Sequence, residues 1–284
     1  MPLRRLPSLI IACAALAIVG VPAASAATSR STSSNWAGYA VTKSGTSFRH
    51  VSGSWVQPAV DCSQGAGTYS SVWVGLGGYK TTSAALEQIG TEADCSGSGK
   101  ATYSTWYELV PDTSHSARIA VQPGDTIHAS AAVSGKLTTL TIKNVTRGTS
   151  FTKVLHGSAV DVTSAEWIVE APSLCTNSGQ CVTAPLAAFG TTTFTNARAV
   201  SSTGHVGTAS EPAWHTTALD LTAGGGRRFV DARGEAAGGR GAAATTGALD
   251  ATGGSFAVSY ASPGTVSGTA PAGTASGPVG APRR

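Results

Sequence analysis

Short runs of alternating apolar and polar residues fill the chain from about residue 33 to about residue 195. The runs are rich in Val, Thr, Tyr and Trp, and residues that favour turns separate them. Because alternation with a period of two gives one apolar face and one polar face, it is typical of β-strands. We predict strands, among others, at 51–56, 69–74, 86–91, 102–110, 126–133 and 137–144.

The segments between these runs contain residues that are typical of tight turns. Residues 122–125 include Pro-Gly-Asp, residues 133–136 include Ser-Gly, and residues 144–148 are typical of a hairpin connection. No window of a dozen residues beyond the first 26 carries the apolar stripe of a helix. Many short strands at this spacing predict an all-β antiparallel fold, either a sandwich or a barrel.

The first 26 residues are typical of a cleavable secretory signal. Arg4 and Arg5 precede an apolar run at 9–21, and Ala-Ser-Ala at 24–26 is a small-residue cleavage site. The run is shorter than the roughly 20 apolar residues that a membrane span requires, and no later segment approaches that length. We expect a secreted, extracellular protein with no membrane association after signal removal. The alternative is a lipid anchor at Cys13, although this cysteine lies inside the apolar run.

The remaining chain predicts one domain at 27–260 and a disordered tail. Residues 222–246 are rich in Gly and Ala, and we expect them to form an extended surface loop or an insertion. Order is expected to return with a last strand at 255–260. Residues 261–284 consist largely of Pro, Gly, Ala, Ser and Thr without an aromatic residue, so they cannot bury enough apolar surface to fold.

Four cysteines remain after signal removal, which suits two disulfides in an oxidising compartment: Cys62, Cys95, Cys175 and Cys181. Cys175 with Cys181 would close a short loop, and Cys62 with Cys95 is then the remaining pair. No Cys-x-x-Cys spacing and no His-Glu-x-x-His motif is present, so no metal site and no cofactor are expected. The net charge of +4 falls to +2 without the two signal arginines, and no basic stripe indicates a nucleic-acid partner.

Candidate chemistry is confined to carboxylates and amides on strands. The Gly-x-Ser-x-Gly elbow and the Asp-Thr-Gly signature are both absent from the sequence. In three segments, alternation places polar groups among aromatic residues, and on each strand the polar groups share one face. These groups are Gln88 with Glu92, Glu108 with Trp106, and Glu166 with Glu170. Alternation alone does not distinguish such groups from solvated surface residues.

Five motifs in order resemble the glutamic peptidases, or eqolisins, whose known members include fungal enzymes. They are Ser-Asn-Trp-Ala-Gly-Tyr at 34–39, Val-Trp-Val-Gly-Leu-Gly-Gly at 72–78, Gln-Ile-Gly at 88–90, Trp-Tyr-Glu at 106–108 with Pro111, and Ala-Glu-Trp-Ile-Val-Glu at 165–170. The resemblance runs from about residue 33 to about residue 194. It departs from the fungal pattern at Gly77, where an aspartate is usual, and at Val110, where an aromatic residue is usual.

The resemblance implies a sandwich of two bent antiparallel sheets, similar to a concanavalin A-like jelly roll, with a substrate cleft on one face. It implies Gln88 and Glu170 as the catalytic pair. In this scheme Glu170 takes a proton from a water molecule, and the Gln88 amide stabilises the oxygen that gains charge. The same resemblance implies five substrate-binding residues, namely Trp36, Trp73, Glu92, Trp106 and Glu108.

We therefore expect a secreted acid endopeptidase that acts on polypeptides as a monomer and uses no cofactor. Two alternatives stay open at this point. Tryptophans on a concave β-sandwich face also bind carbohydrates. The departures at Gly77 and Val110 are compatible with an inactive relative of the peptidases.

Overall fold

A computed structural model describes residues 28–80, 82–157, 159–175, 181–222 and 243–262. The expected signal at 1–26 and all but two residues of the expected tail at 261–284 lie outside these ranges. Within them, no helix is both long enough and apolar enough to cross a membrane.

The described residues form eighteen strands and one short 3₁₀ helix at Cys62–Gln64. The first nine strands are β1 (Thr28–Ser33), β2 (Trp36–Thr42), β3 (Phe48–Val56), β4 (Ser71–Gly77), β5 (Leu86–Cys95), β6 (Ala101–Val110), β7 (His115–Ser116), β8 (Thr126–Ser134) and β9 (Leu137–Asn144). The other nine are β10 (Thr149–His156), β11 (Ser164–Glu170), β12 (Ser173–Cys175), β13 (Cys181–Thr183), β14 (Thr191–Ser201), β15 (Val206–Thr208), β16 (His215–Leu221), β17 (Ala243–Thr246) and β18 (Phe256–Ala261).

Hydrogen bonds join most strands into one ladder with the order β10-β9-β8-β3-β14-β18-β17-β16-β2-β11-β4-β5-β6-β7. Neighbours in this order are antiparallel, whereas β1 pairs with β16 in parallel. The ladder folds over on itself, since β4 packs against β3 and β8, and β5 packs against β8 and β9. Two antiparallel layers therefore face each other, and the predicted all-β sandwich is confirmed.

The main core lies between the two layers. Trp55, Trp167, Tyr39 and Phe194 are each at most 2% exposed and belong to one apolar cluster drawn from both sheets. On β11 the alternation is visible in full, because Ala165, Trp167 and Val169 face this core. The intervening residues of β11 therefore point to the outer side of their sheet.

The structure confirms several details of the expected organisation and corrects one. The hairpin at 144–148 joins β9 to β10, with Thr149 paired to Asn144. Cys62 and Cys95 form a disulfide. The backbone places Cys175 opposite Cys181 in the β12-β13 pair, so their expected disulfide stays a prediction. The loop expected at 222–246 is too long, because Ala243–Thr246 forms β17 and pairs with β18.

Candidate active site

One sheet of the sandwich carries three tryptophans on its outer face. The sheet runs β2-β11-β4-β5-β6, and its outer side chains include an apolar cluster separate from the main core. Trp36 and Trp73 are 0% exposed, Trp106 is 7% exposed, and the rings of Trp36 and Trp73 pack edge to face at 5.0 Å. We call this surface, defined by Trp36, Trp73 and Trp106, the tryptophan face. Alternation places every candidate polar group of the sequence on it.

The strand registers decide which of these groups lie side by side. Gly75 of β4 is paired with Gln88 of β5 on one side and with Glu166 of β11 on the other. Gln88 is paired in turn with Glu108 of β6. Since paired strands lie about 4.8 Å apart, the backbones of Gln88 and Glu166 are separated by about 10 Å. Both side chains point to the outer face of the sheet, on either side of a glycine.

Gly75 allows neighbouring side chains to pack closely over the middle of this row. A Cβ atom at this position would lie 2.9 Å from the Trp73 ring and 3.0 Å from the Leu86 side chain. Real Cβ atoms do not approach other heavy atoms so closely, so a side chain at Gly75 would displace its neighbours. The close packing of Trp73 and Leu86 between Gln88 and Glu166 therefore requires a residue without a side chain at this position.

The polar atoms of the row are buried and only partly hydrogen-bonded within the described part of the protein. Gln88, which is 4% exposed, donates from Nε2 to Glu108 Oε2 at 2.7 Å. Gln88 Oε1 and both carboxyl oxygens of Glu166 accept no hydrogen bond from a described residue. Because the side-chain NH2 of glutamine has two hydrogens, Gln88 keeps one for another acceptor. The row thus offers the second N–H of Gln88, the Gln88 carbonyl oxygen and the Glu166 carboxyl group to a ligand.

Burial controls the charge of Glu166. This residue is 0% exposed, and burial raises the pKa of its carboxyl well above 4.5. The negative charges of Asp161 and Glu87 act in the same direction. Glu87 lies on the opposite side of β5 from Gln88, and burial raises its pKa to about 8. Glu166 is therefore a proton-holding group over a wider range of pH than an ordinary glutamate.

The registers do not bring Glu170 to Gln88. Glu170 is paired with Ser71, four residues from Gly75 along β4, and Ser71 is paired with Glu92. Four residues of a strand span about 13 Å, and the intervening strand adds about 10 Å across the sheet. The register therefore does not bring the two residues of the expected catalytic pair, Gln88 and Glu170, side by side. Glu166 is the glutamate of β11 that lies level with Gln88.

Glu170 has a different set of partners. The Trp73 indole donates from Nε1 to Glu170 Oε2 at 2.7 Å, and Asn35 donates from Nδ2 to Glu170 Oε1 at 3.4 Å. Glu170 is 6% exposed. A carboxylate in this position orients the Trp73 ring and joins β11 to the segment before β2.

The other expected site residues also lie on the tryptophan face. Glu92 accepts a hydrogen bond from Ser104 Oγ at 3.0 Å, and burial raises its pKa. Glu108 contacts the Gln88 amide directly, as described above. Trp36 of β2 is paired with Glu170, and Trp106 of β6 is paired with Gly90. No three His, Cys, Asp or Glu side chains within the described ranges are grouped as metal ligands.

Sequence reasoning assigned Glu166 no catalytic role, although it lies in the matching segment at 165–170. It shares a face with Glu170, so alternation could not separate the two residues. The signal that could have separated them is Gly75, because a conspicuous glycine in a buried strand often marks a close approach of other groups.

The comparisons with known proteins identify the family of this chain. A family model described as the Peptidase A4 family matches residues 34–227. Aspergillopepsin-2 of Aspergillus niger is 33% identical over 198 residues, which is 62% of this chain and 67% of the relative. The chain therefore belongs to the Peptidase A4 family of glutamic-type endopeptidases.

Solved structures show the same fold. The crystal structure of aspergilloglutamic peptidase from Aspergillus niger is 30% identical, with a TM-score of 0.52, and the match covers 68% of this chain and 99% of that one. Scytalido-glutamic peptidase, solved with a transition state analog inhibitor, is 24% identical, with a TM-score of 0.60. That match covers 80% of this chain and 98% of the other.

Proposed function

We propose that this chain is a secreted endopeptidase that hydrolyses polypeptides in acid, with Gln88 and Glu166 as its catalytic pair. One observation carries the choice of residues, namely the row in which Gln88 and Glu166 flank Gly75. A carboxylate and an amide that approach one point are sufficient to activate a water molecule and to stabilise an oxyanion.

The reaction requires one proton to move twice. Glu166, as a carboxylate, takes a proton from a water molecule while the water oxygen bonds to the carbonyl carbon of the substrate. The carbonyl oxygen gains the negative charge and accepts a hydrogen bond from Gln88 Nε2, a contribution of about 3 kcal/mol in comparable sites. The C–N bond then breaks as Glu166 returns its proton to the departing nitrogen. No covalent intermediate forms.

Glu108 prepares Gln88 for this role. Its carboxylate accepts one of the two amide hydrogens at 2.7 Å and thereby fixes the orientation of the amide. The second hydrogen is then directed toward the substrate oxygen, and no reorganisation is needed during the reaction.

The working range of pH has two limits in this proposal. Glu166 must lose its proton before it can act as a base, and its raised pKa places that step above the range of an ordinary glutamate. Activity therefore falls as the pH decreases through this pKa. At the other limit, buried carboxyls such as Asp94, with a pKa of about 7, destabilise the fold when they ionise. The optimum is expected between these limits, in weak acid.

Secretion and domain organisation are further parts of the proposal. The disulfide between Cys62 and Cys95 supports an oxidising compartment. We propose that residues 1–26 are removed on export and that residues 27–260 form the peptidase domain, with 261–284 as a tail. The proposed reaction uses a carboxylate, an amide and water, so it needs no cofactor. We propose that the enzyme acts as a monomer on polypeptide substrates and that neither nucleic acids nor membranes are its partners.

The carbohydrate-binding alternative is less compatible with the structure. A stacking platform needs an exposed aromatic ring, whereas Trp36, Trp73 and Trp106 are at most 7% exposed. The tryptophan face supports the row of polar groups and does not present open rings.

The test is hydrolysis of denatured haemoglobin by the purified protein from about pH 2 to about pH 8, with Glu166→Gln, Gln88→Ala and Glu170→Gln as variants. Glu166→Gln and Gln88→Ala should each lose activity by at least about 100-fold, as expected for loss of a general base or an oxyanion donor. Glu170→Gln should stay within about tenfold of the wild type, because glutamine can still accept the indole hydrogen bond of Trp73.

Circular dichroism must show that each variant is folded, and an aspartic-protease inhibitor should have no effect on the wild type. Wild-type activity in a folded Glu166→Gln variant would refute the catalytic pair. Loss of activity in Glu170→Gln alone would restore Glu170 as the base. A folded wild type without activity at any pH would indicate an inactive relative.

A further inference from the structure

Asp161, which lies just before β11, is a carboxylate that the reaction above does not use. Its Oδ2 accepts a very short hydrogen bond from Ser83 Oγ and a longer one from the Gly78 N–H at 3.4 Å. Its Oδ1 accepts from the Thr163 N–H at 2.8 Å. The Asp161 N–H itself donates to Glu87 Oε1 at 3.3 Å. Asp161 thus connects the start of β11, the end of β4 and the segment just before β5.

The backbone beside Asp161 leaves no space for another side chain. Gly77 and Gly78 have φ angles of +86° and +81°, which favour glycine. A Cβ atom on Gly77 would lie 2.7 Å from Asp161 Cβ and 2.4 Å from the Asp161 carbonyl oxygen. The side chain of Asp161 therefore starts where a side chain at position 77 would start. Asp161 therefore places a carboxylate beside position 77, where an aspartate is usual in the fungal pattern and this chain has a glycine.

Asp161 remains ionised, although it is partly buried. Burial acts to raise the pKa of Asp161, but the hydrogen bonds from Ser83, Thr163 and Gly78 outweigh it and lower this pKa. The resulting negative charge contributes to the raised pKa values of both Glu166 and Glu87.

Asp161 lies close to Glu166, because it contacts Gly77, and Gly77 is two residues from Gly75, the partner of Glu166, on the same face of β4. Its charge raises the pKa of Glu166, whereas a hydrogen bond from Ser164 lowers it. On β2 and β4 the paired residues are Ala40 and Gly75, which carry no charge. On β5 the nearby groups are the neutral Gln88 and the carboxyl of Glu87, with Glu108 one strand further away. No cation is among the groups that shift the Glu166 pKa.

We propose that Asp161 is a positioning residue for the reaction: its carboxylate fixes the turn at Gly77 and Gly78, and its negative charge keeps the proton on Glu166 in the resting enzyme. Because a carboxyl that holds its proton more firmly is also a stronger base when ionised, the charge of Asp161 strengthens Glu166 in its proton-accepting step. This inference rests on the proposed role of Glu166.

The variant Asp161→Asn removes the charge and can keep the hydrogen bonds. Asparagine Oδ1 can accept from the Thr163 N–H, while Nδ2 donates to Ser83 Oγ. Ser83 can accept this hydrogen bond, because its own hydrogen has a second acceptor in the Ala85 carbonyl oxygen at 2.9 Å. The turn is therefore expected to stay in place. A charge-matched control is Asp250→Asn, in the exposed turn between β17 and β18.

The decisive measurement is the titration of the Glu166 carboxyl by ¹³C NMR in protein labelled at its glutamate side chains. The spectrum of Glu166→Gln identifies the resonance by its absence. In Asp161→Asn the midpoint should move to lower pH by about one unit, a usual effect of removing a nearby like charge. The acid limb of kcat/KM should move by the same amount, and Asp250→Asn should leave both unchanged.

A Glu166 midpoint that does not move in folded Asp161→Asn would overturn the inference. The NMR result does not depend on hydrolysis, so it decides the role of the charge even if the wild type proves inactive and the proposed function fails. The anchoring role is tested by Ser83→Ala, which removes one hydrogen bond to Asp161. A several-fold rise in KM with a retained kcat is expected there, and an unchanged KM would contradict anchoring.

Discussion

The fold should be most stable in acid and should lose stability as the pH rises through neutrality. Burial raises the pKa of Glu87 from 4.5 to about 8, and burial together with the charge of Glu92 raises that of Asp94 from 3.8 to about 7. In the unfolded chain both carboxyls lose their protons near pH 4. Between about pH 4 and pH 8 the folded state therefore binds more protons than the unfolded state. The stabilisation is complete below about pH 4 and is lost as the pH passes the folded-state pKa values.

The magnitude follows from the size of the shifts. One pKa unit corresponds to about 1.4 kcal/mol, so the shift of Glu87 corresponds to about 5 kcal/mol above pH 8. The shift of Asp94 would give about 4 kcal/mol, which we reduce to about 2 kcal/mol because this side chain is partly exposed to solvent. The loss is then comparable to the whole unfolding free energy of a typical domain, which is about 5 to 15 kcal/mol.

Two histidines act in the opposite direction. Burial lowers the pKa values of His50 and His128, so each favours the fold above about pH 6.5 and opposes it when protonated in acid. Both rings are only partly buried. Their effect should therefore reduce the acid stabilisation without cancelling it.

The assay is urea unfolding followed by circular dichroism at about pH 4, pH 6 and pH 8 for the wild type and Glu87→Gln. Glutamine has nearly the same size and can still accept the Asp161 N–H, but it has no charge to bury. The unfolding free energy of the wild type should fall from pH 4 to pH 8, and Glu87→Gln should reduce that fall by about 4 kcal/mol, while Glu166 and Asp94 account for the remainder. The exposed Asp112→Asn is the control. Equal slopes in Glu87→Gln and the wild type, or a wild type more stable at pH 8, would refute the reasoning.

Three further predictions concern single features of the structure. Glu170→Ala removes the acceptor of the Trp73 indole hydrogen bond, so KM should rise about tenfold in steady-state assays. Glu170→Gln keeps an acceptor and should have a KM close to that of the wild type. Equal KM values for both variants would contradict the role of Glu170 in orienting the Trp73 ring. Gly75→Ala places a methyl group 2.9 Å from the Trp73 ring, so the folded variant should lose at least about 100-fold in kcat. A wild-type kcat would show that the close packing over Gly75 is not needed. Replacing Cys62 and Cys95 by serine opens a link across 33 residues, which should lower the unfolding free energy by about 4 kcal/mol in urea titrations; a loss below about 1 kcal/mol would contradict this estimate.

Strand positions could be read from the sequence because the chain alternates wherever one face is buried. The predicted run at 86–91 lies within β5, and the run at 137–144 coincides with β9. The segment at 243–246 escaped notice because Ala-Ala-Thr-Thr lacks large apolar residues and adjoins a Gly-rich stretch. Its pairing with β18 depends on backbone hydrogen bonds that no side-chain pattern reports.

The parallel pairing of β1 was likewise beyond sequence reasoning. Thr28–Ser33 is polar throughout, and its position beside β16 is fixed by backbone hydrogen bonds and by Arg30. The Arg30 guanidinium donates to both carboxyl oxygens of Asp220, at 2.7 Å and 2.6 Å. Contacts between residues 190 positions apart cannot be inferred from either segment alone.

The proposed catalytic pair shows most clearly what alternation can and cannot determine. Alternation assigns a residue to one of two faces, so it correctly placed Glu166 and Glu170 on the same side of β11 but treated them as equivalent. The position along the strand is set by register, and a shift of four residues displaces a carboxyl by about 13 Å. Gly75 breaks this equivalence, because it alone lies between Gln88 and a glutamate in one row. The family resemblance implied Glu170 as the catalytic glutamate, whereas our proposal assigns that role to Glu166. The hydrogen bond from Trp73 to Glu170 then gives a physical reason for a second buried carboxyl group on the same strand.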